Sequence, residues 1–171
     1  PARHIGWLEV EPAQIDSDDT ITAPLQLLTV GTGGALIPVD GGQTHFTPLL
    51  TSTANSSLMP SDAFAKLRDP EELLKGFKAD DHTYTFAARL TGPAKSAYPQ
   101  GMEGHDPGLQ QADNINVVVV ADTDMLTDRM WVQVQDLFGQ RIPQPWADNG
   151  GFLINALDNL SGSDALISVR S

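Results

Sequence analysis

The chain has 171 residues, of which 40% are hydrophobic, so it is long and apolar enough to bury the core of one folded domain. Its 22 acidic residues outnumber its 10 lysines and arginines, and the net charge of −12 argues against charge-driven binding of nucleic acid or anionic lipid. The absence of cysteine excludes a disulfide scaffold, a cysteine-ligated metal or iron–sulfur site and a cysteine nucleophile.

The first half of the chain predicts short strands and turns around one short helix. Alternating apolar and polar residues predict a strand over Ile5–Val10. Thr22 is placed to cap a short helix with Leu25, Leu27 and Leu28 on its apolar side. Further apolar runs predict strands at Ala35–Ile37 and Phe46–Thr51. A proline inside the second of these runs lacks a backbone donor and therefore places that strand at a sheet edge.

The middle of the chain predicts a helix, a strand and a long exposed loop. Asp69 followed by Pro70 is a strong helix start, because aspartate caps free backbone N–H groups and proline suits the first helical position. A strand is predicted over Tyr84–Leu90, and a Gly-Pro pair is expected to end it. Residues 99–114 have few apolar side chains and predict an exposed loop, with the weakest order of the chain at residues 100–113.

The C-terminal third predicts a strand, two helices and a final strand. The β-branched run Asn116–Ala121 is typical of a central strand that is buried on both faces. Apolar spacing predicts amphipathic helices over Met130–Phe138 and Phe152–Leu160, and Leu166–Val169 predicts the last strand. This order predicts a single α/β domain over residues 1–171, with helices packed on an open, mixed or mainly parallel sheet.

The sharpest candidate site is the pair of carboxylates after the valine-rich strand, Asp122 and Asp124. Ligands of open α/β sheets lie at the carboxyl ends of the strands, and two aspartates there would suit a hard cation such as Mg²⁺. The alternative is structural, because aspartate and threonine readily leave a strand and cap the following helix with their side chains. Capping is favoured, because neither a third acidic ligand nor a phosphate-binding lysine lies beside them.

The other polar motifs predict structural rather than catalytic roles. The Gly31–Gly34 run lacks the lysine of a phosphate-binding loop, the four histidines are scattered, and Ser96 lacks the spacing of a serine nucleophile. Asn149 is predicted to cap the last helix and Asn155 to bond nearby backbone. No cofactor and no resident metal are therefore predicted. Trp146 and the Asn149 region leave open a solute- or glycan-binding role.

Several segments of the chain are similar to a known family. The most specific are Val117–Leu126, Asn149–Gly162 and Leu166–Ser171, and the earlier segments Ile21–Leu25, Thr47–Leu50 and Phe86–Tyr98 agree with it. Over roughly residues 20–171 the chain resembles the GldG-like family. Members of that family are auxiliary components of an uncharacterised ABC-type transport system linked to gliding motility.

The resemblance implies a Rossmann-like α/β domain of the glutamine-amidotransferase-like kind, cut from a longer, membrane-anchored protein. It implies a location on the periplasmic face of the inner membrane, with the cytoplasm as the alternative. Amidotransferase activity is not implied, because the chain lacks the nucleophilic cysteine. The implied partners are permease and ATPase subunits of the transporter or other envelope proteins, with membrane contact only through segments outside residues 1–171.

Three functions follow from these observations. The first, which the resemblance favours, is a non-catalytic extracytoplasmic auxiliary or binding domain of an ABC-type transport system. The second is a Mg²⁺-dependent hydrolase that uses Asp122 and Asp124. The third is a solute- or glycan-binding domain.

Overall fold

The computed structural model describes residues 4–65, 70–137 and 139–162, in which small antiparallel sheets are the main structure. Its strands are β1 (Trp7–Val10), β2 (Leu28–Gly31), β3 (His45–Thr51), β4 (Thr85–Lys95), β5 (Gln111–Val120), β6 (Val132–Leu137) and β7 (Gln140–Pro145). The helices are α1 (Ser61–Ala65), α2 (Pro70–Gly76), α3 (Asp128–Trp131) and α4 (Asn149–Leu160), with 3₁₀ turns at Pro12–Gln14 and Asp124–Leu126.

Every strand pair in the described part of the chain is antiparallel, in the orders β1-β2, β3-β4-β5 and β6-β7. The predicted Rossmann-like α/β fold, with an open, mixed or mainly parallel sheet, is therefore wrong. Parallel neighbours need a long crossover, usually a helix, whereas antiparallel neighbours can be joined directly. Here β6 turns into β7 at Gly139, whose φ of +80° suits a tight turn, and no helix separates β4 from β5.

The valine-rich strand lies at a sheet edge and not in the centre. β5 pairs only with β4 among the described strands, in a register that places Val118 opposite Arg89. Val118 and Val120 pack against the core, while Val117, on the other face, is 41% exposed. A β-branched run therefore encoded a strand covered mainly on one face. Residues 111–114, expected in a loop, belong to this strand, and β4 continues through its Gly-Pro pair instead of ending there.

The predicted helix over Met130–Phe138 is also wrong. Helix α3 ends at Trp131, and Val132–Leu137 forms strand β6, which pairs residue by residue with β7. Val132, Val134 and the polar residues between them alternate with the period of a strand, although the wider spacing of apolar residues also matched a helix. The backbone hydrogen bonds to β7 favour the strand over the helix in this segment.

The N-terminal predictions had mixed outcomes. Strand β1, edge strand β3 and a helix beginning at Pro70 were predicted correctly. The helix expected after Thr22 is wrong, because residues 20–24 form a turn and Leu28 belongs to β2. Leu36 makes only an isolated bridge to Thr85. The predicted cap Asp69 and the predicted strand Leu166–Val169 lie outside the described residues.

The hydrophobic core lies where the β1–β2 pair, the inner parts of β3 and β4, and helix α4 meet. Helix α4, which was predicted correctly, contributes Phe152 and Ala156, which lie one turn apart on the same face. Fully burying one large apolar side chain contributes about 1.5–3 kcal/mol, so this junction is the main source of stability. The other buried members are Val10, Ile15, Ile21, Leu25, Leu28, Val30, Leu49, Leu50, Phe86, Ala87 and Met125.

Candidate functional site

The carboxylate of Asp122 accepts hydrogen bonds from three backbone N–H groups. Its Oδ1 accepts hydrogen bonds from the backbone N–H groups of Asp124 (2.7 Å) and Met125 (3.3 Å), which form the 3₁₀ turn after β5. Its Oδ2 accepts a hydrogen bond from the backbone N–H of Gly31 in β2, at 2.7 Å. Asp122 therefore caps the turn, as the capping alternative predicted, and also ties that turn to a strand that lies 91 residues away in the sequence.

The second carboxylate, Asp124, lies on the surface beside Asp122. Its Oδ2 is 3.8 Å from Nη2 of the exposed Arg129, which is the distance of a weak surface ion pair. Among residues 4–65, 70–137 and 139–162, no three histidine, cysteine or acidic side chains gather as a metal site. The pair is therefore adjacent in space, but one member has both oxygens bonded to backbone.

Asn149 was predicted to cap α4 and instead bonds the open edge of β2. Its side chain is fully buried; it accepts a hydrogen bond from the backbone N–H of Thr29 (3.0 Å) and donates to the carbonyl of Thr29 (2.8 Å). The same amide nitrogen donates to the carbonyl of Met125 at 2.7 Å. The side-chain amide thus pairs with Thr29 as the backbone of a neighbouring strand would. The adjacent Asp148 accepts hydrogen bonds from the backbone of the segment before β2.

Arg89 joins four segments of the chain on the other side of α4. Its guanidinium donates two hydrogen bonds to Asp19 (2.6 and 2.8 Å), one to Asn116 of β5 (2.7 Å) and one to Asn159 of α4 (2.9 Å). Partial burial would raise the pKa of Asp19, but the bonds and charge of Arg89 and the backbone N–H of Ile21 outweigh it and lower that pKa. The guanidinium of Arg89 therefore holds these segments together.

A cleft of about 380 Å³ opens at the end of the β1–β2 pair, which is within the size range of small-molecule sites. Its walls come from Ile5–Leu8, Thr32–Ala35, the loop 52–61, and side chains of α1, the end of α2 and β4. Its main apolar and aromatic side chains are Leu8, Leu58, Phe64, Phe77, Tyr84 and Phe86. The sequence interpretation missed this cleft, because its walls come from segments that are distant in the chain.

The lining of this cleft is uncharged. It includes no aspartate, glutamate, lysine, arginine or histidine of the described residues, although the chain has 22 acidic residues. Tyr84 is its one titratable side chain, and its hydroxyl donates a hydrogen bond to the carboxylate of Asp80. That bond and the negative charge of Asp80 raise the pKa of Tyr84, so the phenol stays neutral at physiological pH.

The sequence of the chain matches one known family over most of its length. A family model described as an ABC-type uncharacterized transport system matches residues 1–156. The chain belongs to this family of auxiliary components of ABC-type transport systems. No curated protein and no solved structure matches it significantly. Its role is therefore that of an auxiliary, transport-associated domain.

The helices of this auxiliary domain are short. The longest described one, α4, has 12 residues, whereas a transmembrane helix needs about 20 apolar residues. Within the part of the chain that the structure describes, no helix is long and apolar enough to cross a membrane.

The rings of the three tryptophans, all of which lie among the described residues, make no ring contact with one another. Trp7, which is half exposed, lies 5.8 Å below the guanidinium of Arg129. Trp131 packs against Gly150, where an added Cβ would lie 2.6 Å from the ring. Trp146 is 41% exposed and its backbone N–H donates to the carbonyl of Trp131.

Proposed function

We propose that this auxiliary domain is non-catalytic and works on the extracytoplasmic side of the inner membrane, by contact with the permease of its transport system. Membership of the family over residues 1–156 is the observation that carries the proposal. The resemblance of Val117–Leu126 and Asn149–Gly162 to the GldG-like family supports the gliding-motility-associated type and the periplasmic location.

The use of the polar side chains supports a non-catalytic role. An active site keeps several titratable groups within reach of a substrate and orients them with a partner. Here the carboxylate of Asp122 is occupied by three backbone N–H groups, and Arg89 is occupied by Asp19 and two asparagines. The amide of Asn149 is buried and bonded to β2. Asp122, Arg89 and Asn149 are thus used to hold the structure.

The solvent side of α4 supplies a surface for the permease. Leu153, Ile154, Leu157 and Leu160 lie on this 12-residue helix and are between 39% and 59% exposed. Protein interfaces have apolar centres that are depleted of charge, and this row is apolar. The net charge of −12 would add attraction to a partner surface with a basic rim.

Site-specific photo-crosslinking in cells that contain the whole transport system tests the contact. A benzophenone amino acid in place of Leu157 should form an adduct that mass spectrometry identifies as the permease subunit. The matched control is the same group in place of Leu109, which is 78% exposed but lies far from α4 in the sequence. Permease adducts of equal yield from both positions, or from neither, would overturn the proposed surface.

The location has its own test, because the domain contains no cysteine. Asp106→Cys places one thiol at an exposed position. A membrane-impermeant maleimide should label this variant in intact cells, and it should leave the unsubstituted domain unlabelled. Labelling only after lysis would favour the cytoplasmic alternative.

A further inference from the structure

The uncharged cleft at the end of the β1–β2 pair has the chemistry of a ligand site. A charged group that enters an apolar site without a partner loses its hydration and gains no ion pair in return. The only titratable side chain in the lining, Tyr84, is held neutral. The cleft therefore selects against charged ligands.

Aromatic side chains form the deep walls of the cleft. Phe86 of β4 is buried, while Phe64 of α1 and Phe77, which directly follows α2, are half buried and line the cavity. Leu58 stands at the mouth and is 56% exposed. Faces and edges of aromatic rings contact other flat rings favourably, so these walls suit an aromatic body.

Polar groups with free hydrogen-bonding capacity lie in the loop at the mouth. Ser52 and Ser57 use their hydroxyls in bonds to nearby backbone. By contrast, the side chains of Asn55, Ser56 and Ser61 line the cleft and make no hydrogen bond to another described residue. One amide and two hydroxyls are thus available to a ligand.

We propose that the cleft binds a small, uncharged molecule with an aromatic or aliphatic body and one or two hydrogen-bonding groups. The body lies between Phe64, Phe77 and Phe86, and its polar groups meet the loop at Asn55–Ser61. This site goes beyond the contact role of α4 and does not depend on it. The auxiliary domain would then sense or hold a neutral solute.

A pair of fluorescent probes tests the selection against charge. N-phenyl-1-naphthylamine is neutral, and 8-anilino-1-naphthalenesulfonate carries the same two aromatic groups with an added sulfonate. In fluorescence titrations of the whole chain, the neutral probe should bind saturably at one site, and the sulfonate should bind at least about tenfold more weakly. Equal affinity for the two probes would overturn the proposal.

Substitutions locate the binding. Leu58→Asp puts a charge at an exposed position at the mouth of the cleft. It should lower the affinity for the neutral probe by at least about tenfold. Leu109→Asp, at another exposed leucine, should leave its affinity unchanged. Ala35→Phe, which fills the cleft from a half-buried position, should also abolish binding while circular dichroism stays unaltered. Binding that survives both cleft substitutions would show that the probe lies elsewhere, whatever the outcome of the crosslinking at Leu157.

Discussion

Two regions flank the β1–β2 pair and differ in what their polar groups do. At the junction with α4, the side chains of Asp122, Asp148 and Asn149 bond to backbone in or beside β2. At the cleft, the side chains of Asn55, Ser56 and Ser61 make no hydrogen bond to another residue that the structure describes. Polar side chains therefore hold the fold at the junction and line the cavity at the cleft, and the list of polar residues in the sequence does not distinguish the two uses.

The largest expected effect is at Asn149. Asn149→Ala removes the partner of the N–H and C=O of Thr29 and of the carbonyl of Met125, which are then buried without hydrogen bonds. Because each unsatisfied buried group costs about 1–3 kcal/mol, the free energy of unfolding should fall by about 3 kcal/mol or more. Urea denaturation measures it. Asn155→Ala, which loses one bond to the carbonyl of Ile21, is the matched control and should cost less.

A small loss of stability in Asn149→Ala would contradict this account of the junction. A loss of about 1 kcal/mol is what a simple helix cap contributes. That value would mean that the backbone groups of Thr29 form other hydrogen bonds when Asn149 is absent. The stability of β2 would then not depend on the side-chain amide that pairs with its edge.

The next largest expected effect is at the Asp19–Arg89 pair, whose contribution to the free energy of unfolding depends on pH. The pKa of Asp19 is lowered in the folded state, so the charged pair adds stability at pH values above the unfolded pKa of about 3.9, and this stability is lost as the pH falls through the folded pKa. Asp19→Asn should therefore cost about 2 kcal/mol at neutral pH and progressively less in acid below about pH 4. Denaturation of both proteins across this range measures the difference.

The exposed neighbour Asp18 is the control for this pH effect, because Asp18→Asn also removes one negative charge. It should leave the unfolding free energy nearly unchanged at neutral pH. If Asp19→Asn had a cost that did not vary with pH, the charge of the pair would not be the source of its stability.

Two adjacent glycines at the start of α4, Gly150 and Gly151, differ in how closely side chains pack against them. An added Cβ at Gly150 would lie 2.6 Å from the ring of Trp131, whereas at Gly151 it would make an ordinary contact of 3.5 Å with Leu25. Gly150→Ala should therefore destabilise by about 1–2 kcal/mol, and Gly151→Ala should stabilise by up to about 1 kcal/mol through helix propensity. Thermal unfolding distinguishes them, and equal effects would contradict the close packing of Trp131.

The sequence predicted elements with a clear local pattern and missed those decided by distant contacts. The alternation of apolar and polar residues predicted strand β1, and the proline in β3 predicted its place at a sheet edge. The helical spacing of apolar residues predicted α4. The same reasoning placed β5 in the centre of a mixed or mainly parallel sheet, because a run of valines does not say how many faces of a strand are covered. It placed Met130–Phe138 in a helix, because the spacing of apolar residues in a short segment can match both the helical and the strand period.

The candidate sites divide in the same way. The capping role of Asp122 was predictable because the bonded N–H groups are two and three residues away. Its bond to Gly31, and the bonds of Asn149 to Thr29, join residues that are 91 and 120 positions apart. The cleft needs five separated segments of chain, so no motif marks it. Its serine-rich loop and the phenylalanines at 64, 77 and 86 were the only signal.

The smallest expected effect is that of Mg²⁺ on thermal stability. It tests whether Asp122 and Asp124 only hold the fold or also bind a cation. Mg²⁺ that bound only the folded chain would stabilise it according to its concentration and affinity. Because both oxygens of Asp122 already accept backbone bonds, we expect about 10 mM Mg²⁺ to raise Tm by less than about 2 °C in thermal-shift measurements. Asp124→Asn should leave this small shift unchanged, as should the control Asp128→Asn. A rise of several degrees that Asp124→Asn abolishes and Asp128→Asn preserves would make the pair a cation site and revive the hydrolase alternative.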